Sequence, residues 1–232
     1  MNDREISDLP MFPLGQVILP GSVVPLHVFE ERYRALVRVC MRSDRRFGTV
    51  LISRGAEVGG GDSRTAVGSL LTIERAAELE DGRWYLVASA RERIRVAAWL
   101  DDDPFPRARI RMCSDDDEAN RIDPASWSAR LAELDGRIRA LVAAEVEWGA
   151  TRDVLGVLPI PTERSALAAT LWKLVARLSP TALDAQALLE CDDPETRLRL
   201  FASAVREREL VNELLRANPD PADPADPIDP GA

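Results

Sequence analysis

The chain offers few residues that could act as an acid, a base or a nucleophile. His27 is the only histidine in the 232 residues and could serve as a general base near neutral pH. The alternative, which we favour, is that it packs at the rim of the fold or hydrogen-bonds to local backbone. Lys173 is the only lysine, so a serine–lysine hydrolase pair would have to use it. Because Lys173 lies between Trp172 and Leu174 in an amphipathic pattern, we expect it on a helix surface and predict no catalytic residue.

The sequence also lacks the pattern of a nucleotide-binding loop or a metal centre. The glycine-rich segment 55–62 has Gly61 and Asp62 where a phosphate-binding loop needs lysine and then serine or threonine. One histidine and three cysteines outside any Cys-x-x-Cys pair are too few ligands for zinc. The acidic runs 101–103 and 115–118 could attract a cation, but such runs are more often solvated loops. We therefore expect no cofactor, no metal and no enzyme.

Composition restricts the class of partner and the compartment. The formal net charge is −9, with 46% hydrophobic and 30% charged residues. Because nucleic-acid phosphates attract basic surfaces, this charge disfavours nucleic acid as the main partner. No apolar run approaches the roughly 20 residues of a membrane helix. Residues 1–10 are too polar and acidic for an export signal, so we expect a cytoplasmic protein.

Two aromatic residues near the ends of predicted elements are candidate binding residues. Phe105 lies between two prolines, and Trp148 precedes Gly149 at the end of a predicted helix. Aromatic side chains that stay exposed at such positions commonly anchor protein partners. The alternative is that both rings pack at the edge of the core. We take Phe105 and Trp148 as candidate peptide-binding residues.

The segment 20–41 indicates how the first half of the chain is built. Residues 23–28 form an apolar extended run, and the prolines at positions 20 and 25 place this run at an edge or a crossover rather than in the middle of a sheet. The following helix has an inner stripe at steps of three or four residues. That stripe is Phe29, Tyr33, Leu36, Val37, Cys40 and Met41. A helix with such a stripe must cover a sheet.

Five further segments have the alternating or fully apolar pattern of strands. They are 47–53, 67–79, 84–90, 91–99 and 107–113. Asp81 and Gly82 suit a tight hairpin turn, and the glycine-rich residues 55–65 suit a loop. Five or six strands with one crossover helix predict a small closed or half-open barrel over residues 8–113.

Beyond the acidic segment 115–120 the period of the apolar residues changes from two to 3.6. Four stripes with this period predict helices that begin near residues 124, 162, 183 and 193. The last stripe is Leu198, Phe201, Val205, Leu210 and Leu214. Because the stripes must be buried against one another, residues 124–217 are predicted to form a helical bundle and a separate folding unit. Residues 218–232 repeat Asp-Pro without an apolar period and predict a disordered tail.

Several phrases resemble the amino-terminal, substrate-binding domain of Lon proteases. The opening phrases are LPMFPLG at 9–15, LPG at 19–21 and PLHVFEERYRAL at 25–36. FGTV at 47–50, VGSL at 67–70 and WYLVASARER at 84–93 fall where that family places its core strands, and LLECDDPETRL at 188–198 is similar to its closing helices. The resemblance covers roughly residues 8 to 216. It implies an α+β fold, with a PUA-like β pseudo-barrel followed by a helical bundle.

The resemblance implies a non-catalytic module that binds unfolded or apolar polypeptide segments. Full-length Lon proteases continue into ATPase and peptidase domains, and we expect this chain to lack both. Roles as an adaptor, a chaperone-like holdase or a regulator of a separate protease all fit. The alternative is RNA binding, because PUA-like barrels also occur in RNA-binding proteins. A small-molecule enzyme is the third hypothesis, although no set of nucleophile, base and orienting group is visible.

Overall fold

A computed structural model describes residues 5–54, 63–113, 122–147 and 155–217. Six strands and five helices lie within these ranges. The strands are β1 (Glu5–Pro10), β2 (Val23–Val28), β3 (Arg46–Arg54), β4 (Ser63–Glu78), β5 (Trp84–Trp99) and β6 (Arg107–Met112). The helices are α1 (Glu31–Met41), α2 (Pro124–Glu147), α3 (Arg164–Leu178), α4 (Ala182–Glu190) and α5 (Pro194–Ala217). The predicted α+β class is confirmed, whereas the predicted tail at 218–232 and most of the predicted 55–65 loop and 115–120 linker lie outside the described residues.

The sheet is antiparallel and runs in the order β1-β6-β5-β4-β3, while β2 pairs with the first half of β5. Residues after β1 close this sheet into a barrel. The N–H of Phe12 donates to the carbonyl of Gly48 at 2.7 Å, and that of Leu14 donates to the carbonyl of Val50 at 3.0 Å. Strand β1 therefore pairs with β6, and the residues that directly follow β1 pair with β3.

Strand β5 is a single strand where the sequence predicted two, at 84–90 and 91–99. Arg91 is an extra residue between Ala90 and Glu92, which pair with adjacent residues of β4. An extra residue of this kind bends a strand and increases its twist. The bulge shifts the alternation of apolar residues along β5, which explains why the sequence pattern looks like two strands.

Helix α1 packs against the sheet through Tyr33, Leu36, Val37 and Cys40, as its stripe predicts. Phe29 was wrongly included in that stripe. Glu30 is extended, with φ −68° and ψ 137°, so Phe29 precedes the first helical turn and continues the alternation of β2. Its side chain is therefore exposed, whereas Val28 is buried.

Helices α2, α3 and α5 enclose the largest core, which contains Trp127, Trp172 and Phe201. Leu210 and Leu214 were wrongly predicted to join it, because both are exposed. The buried face of α5 continues from Val205 to Asn212 instead, and Leu210 lies five residues after Val205, off that face. None of the helices in the described ranges is both long and apolar enough to cross a membrane.

Candidate functional site

Of the residues singled out in the sequence, those within the described ranges do not assemble into one site. Phe105 is only 5% exposed and packs in the core beneath α1, so it is not an exposed anchor. Trp148 lies outside the described residues. Lys173 is exposed on α3, and His27 is exposed on β2. Within the described ranges, no three acidic, histidine or cysteine side chains are grouped so that they could hold a metal ion.

An exposed apolar surface lies on the outer face of β2 and the start of β5, and we call it the aromatic ledge. It consists of Val23, Pro25, His27, Phe29 and Tyr85. The side chains of Phe29 and Tyr85 are 52% and 53% exposed. The His27 ring stacks on Tyr85 with 4.6 Å between ring centroids and lies 5.8 Å from the Phe29 centroid. The ledge therefore offers a row of solvent-facing rings.

Strand alternation produces the ledge. Leu26 and Val28 point into the core, so the neighbouring residues Pro25, His27 and Phe29 must point outward. In the pairing of β2 with β5, His27 stands opposite Tyr85 and Val23 stands opposite Ser89. Directly opposite residues lie on the same face of a sheet, so β5 extends the ledge laterally.

A charged group borders the Val23 end of the ledge. Ser89 and Arg91 both donate hydrogen bonds to the Glu74 carboxylate. The bond from Ser89, followed by that from Arg91, lowers the pKa of Glu74 below its ordinary value. The carboxylate therefore stays ionised near neutral pH and marks a polar border beside the apolar surface.

A concave surface lies between β1 and α1, and we call it the edge groove. Its volume is about 700 Å³. β1 contributes Ile6 and Leu9 to its walls, α1 contributes Ala35 and Val39, and Phe105 comes from the loop before β6. The groove is the site to which the structure brings Phe105.

Two ion pairs line the edge groove. The Arg107 Nε donates to Asp8 Oδ1 at 2.8 Å, and this hydrogen bonding lowers the pKa of Asp8. The Arg46 Nε donates to Asp44 Oδ2 at 2.6 Å. Burial raises the pKa of Asp44, but the hydrogen bonds from Arg46 outweigh it, so the pKa is lowered. Asp103 supplies a third carboxylate at the groove.

Sequence reasoning missed the aromatic ledge for an identifiable reason. It assigned Phe29 to the inner stripe of the helix after β2, and it counted Tyr85 within the predicted strand 84–90 without identifying an exposed face. The available signal was the alternation from Val23 to Phe29, in which every second residue is apolar or aromatic although the other face already supplies the core.

Comparison with known proteins gives a consistent set of relatives. The profile of the ATP-dependent protease La (LON) substrate-binding domain matches residues 8–207. The chain is 26% identical to Lon protease 2 of Herpetosiphon aurantiacus over 215 residues, which cover 89% of this chain and 24% of the relative. It is also 26% identical to Lon protease 2 of Myxococcus xanthus over 207 residues, with coverage of 88% and 24%. The chain thus spans about a quarter of the length of these relatives.

Solved structures agree with these matches. The Lon N-terminal domain protein of Xanthomonas campestris superposes with a TM-score of 0.58 at 27% identity, covering 85% of this chain and 98% of that one. The N-terminal domain of a Mycobacterium avium complex Lon protease gives a TM-score of 0.57 at 19% identity, with coverage of 87% and 99%. The second likeness is one of fold alone.

Proposed function

Because the chain belongs to the LON substrate-binding domain family, we propose that it binds apolar segments of unfolded polypeptides through the aromatic ledge. The observation that carries this proposal is the exposure of Phe29 and Tyr85 beside Val23 and His27 on one face. Contiguous exposed apolar surface of this kind commonly marks a protein interaction site. Aromatic rings bury much area while losing little side-chain freedom.

The area available predicts weak, reversible binding. An aromatic side chain presents about 150–250 Å², so a half-exposed ring offers about 100 Å² for burial. At about 25 cal/mol per Å², Phe29 and Tyr85 together provide about 5 kcal/mol. The ordering of an unfolded partner opposes much of this gain. Repeated transient contacts with many sequences therefore fit the ledge better than one tight partner.

The finer role depends on what the bound polypeptide does next. A holdase keeps the bound segment from aggregating, whereas an adaptor or a regulator delivers it to a separate protease. We propose the binding step as common to all three. Catalysis is not part of the proposal, because the family match covers the substrate-binding region named in the profile.

The test compares two protein variants that alter exposed apolar residues, one on the ledge and one away from it. The double variant Phe29→Ser, Tyr85→Ser removes both ledge rings, while Leu183→Ser removes an exposed leucine from α4 as the matched control. Fluorescein-labelled, reduced and carboxymethylated α-lactalbumin serves as the permanently unfolded probe in fluorescence anisotropy. We expect the ledge variant to bind about thirtyfold more weakly, equivalent to about 2 kcal/mol. The control should change affinity less than about twofold.

Salt dependence separates this proposal from RNA binding. Apolar contacts should give similar affinity at low and high salt, whereas phosphate binding weakens steeply because bound counterions are released. Binding to single-stranded RNA that is tighter than binding to the unfolded probe, with a steep salt slope and no effect of the ledge substitutions, would refute the proposal.

A further inference from the structure

We infer that the edge groove is a second binding site, which takes an extended polypeptide segment with alternating apolar side chains and one basic residue. This inference rests on the proposed function for the class of ligand, polypeptide, but it concerns a different surface. The groove shares no lining residue with the aromatic ledge. The two surfaces can therefore fail or succeed independently.

In the part of the chain that the structure describes, strand β1 has a free backbone edge beside the groove. One edge of β1 pairs with β6 along Glu5–Pro10. Among the described residues, no strand pairs with its other edge before the bridge of Met11 to Gly48. An exposed strand edge can bind an extended peptide through main-chain hydrogen bonds. Six residues at about 3.3 Å each give a wall roughly 20 Å long, enough for a peptide of about six residues.

Apolar side chains line the groove beside this edge. Val39 of α1 is 46% exposed, although it lies in a helix that buries its other face. Ala35 and the largely buried Phe105 line the groove beside Val39, and Ile6 and the largely buried Leu9 line the opposite wall. Side chains of a strand alternate between its two faces, so every second residue of a bound peptide would enter the groove. A volume of about 700 Å³ holds several such side chains.

The charges decide which peptide fits. Three carboxylates and two guanidinium groups line the groove, namely Asp8, Asp44, Asp103, Arg46 and Arg107. Asp8 and Asp44 pair with the two arginines, whereas Asp103 forms no ion pair within the described part of the chain. Asp101 adds its charge at the same end, because both it and Asp103 act on Arg107. This excess of negative charge favours a lysine or arginine in the peptide.

The experiment uses the full chain and defined peptides in fluorescence anisotropy. The probe is a fluorescein-labelled octapeptide of alternating valine and threonine that ends in arginine, and the comparison peptide ends in glutamate. We expect the arginine peptide to bind at least about fivefold more tightly, and the Asp103→Asn variant to reduce that preference. Val39→Asp should weaken binding more than about tenfold by placing a charge against the apolar wall. The control Val39→Thr keeps the side-chain shape and should stay within about threefold.

Backbone methylation tests strand addition directly. Two versions of the octapeptide carry N-methyl groups on alternate amides, one version for each edge of the peptide. A peptide added to β1 uses only one of its edges, so one version should lose binding and the other should keep it. Equal binding of both versions and the parent peptide would overturn strand addition.

Three further results would overturn binding of the octapeptide in the edge groove. Val39→Asp protein that melts like the parent and still binds the octapeptide would overturn the inference. Loss of octapeptide binding in the Phe29→Ser, Tyr85→Ser variant alone would assign the peptide to the ledge, so the inference would fail while the proposed function stands. A dimer in light scattering that Val39→Asp dissociates would show a second copy in the groove and would also overturn it.

Discussion

Replacing Arg93 with methionine should destabilise the contact between the β-barrel and the helices. Arg93 belongs to β5, and its side chain is 1% exposed. Its Nη1 donates to the carbonyl of Leu189 at 2.7 Å and to Asp192 Oδ1 at 3.2 Å. Leu189 lies in the last turn of α4, where carbonyl groups lack helical partners and partial negative charge collects. The barrel thus supplies a cation that caps a helix of the other half of the chain.

The expected loss of stability in Arg93→Met can be worked out from these hydrogen bonds to Leu189 and Asp192. A bond from a charged donor to a buried carbonyl contributes about 1.5–3 kcal/mol. The bond to Asp192 adds less than about 1 kcal/mol, because that carboxylate is largely exposed. We therefore expect Arg93→Met to lower the free energy of unfolding by about 3 kcal/mol.

Arg95 provides the matched control. Its Nη2 donates to the other oxygen of Asp192 at 2.7 Å, but its side chain is 41% exposed. Arg95→Met should therefore cost less than about 1 kcal/mol. Urea unfolding at 25 °C, followed by tryptophan fluorescence and by far-UV circular dichroism, measures both values. Losses that agree within about 1 kcal/mol would refute the buried cap, since both variants remove an arginine from the same carboxylate.

Three further predictions concern other parts of the chain. Phe105→Ala should lower the free energy of unfolding by about 3–5 kcal/mol because it leaves a cavity, whereas the exposed Phe29→Ala should lower it by less than about 1 kcal/mol. Urea titrations measure both losses, and equal losses would contradict the prediction. Burial raises the pKa of Cys40 from 9.0 to about 12, so the unfolded chain releases a proton that the folded chain retains as pH rises between these values. From pH 8 to pH 10 the parent should therefore lose about 1.4 kcal/mol more stability than Cys40→Ala, and parallel pH curves would count against this. The purified chain should neither hydrolyse ATP nor cleave casein, and an activity that disappears in Lys173→Ala would contradict that expectation.

Local periodicity was sufficient for most of the fold, because most elements bury one face. The strand β1 is the exception, since Glu5, Ser7 and Asp8 are exposed and give no apolar alternation. Backbone pairing with β6 holds this strand, and such pairing leaves no mark in a polar sequence. The division of the chain into folding units at 8–113 and 124–217 stays a prediction. The urea titration followed by both tryptophan fluorescence and circular dichroism tests this division, because independent units would unfold in separate transitions.

The candidate sites could not be predicted in the same way. Phe105 between its two prolines looked like an exposed loop residue, but the loop before β6 folds over the core beneath α1 and buries the ring. Leu210 illustrates the opposite error, because an apolar residue only one position off the buried face of α5 is exposed. The exposure of a side chain depends on which neighbouring element covers its face, and that is decided by the tertiary structure rather than by the local sequence.

The two proposed surfaces have a physical property in common that bears on how the chain could bind many sequences. At the end of β2, the outward residues His27 and Phe29 flank Val28, which is fully buried. On α1, Val39 stands next to Cys40, which is also fully buried. Each exposed apolar residue is thus held by a neighbour fixed in the core. Little backbone freedom then remains to be lost on binding, which reduces the entropic cost on the protein's side. Because an unfolded polypeptide loses much freedom of its own on binding, we expect this restraint to matter most for contacts as weak as those proposed for the two surfaces.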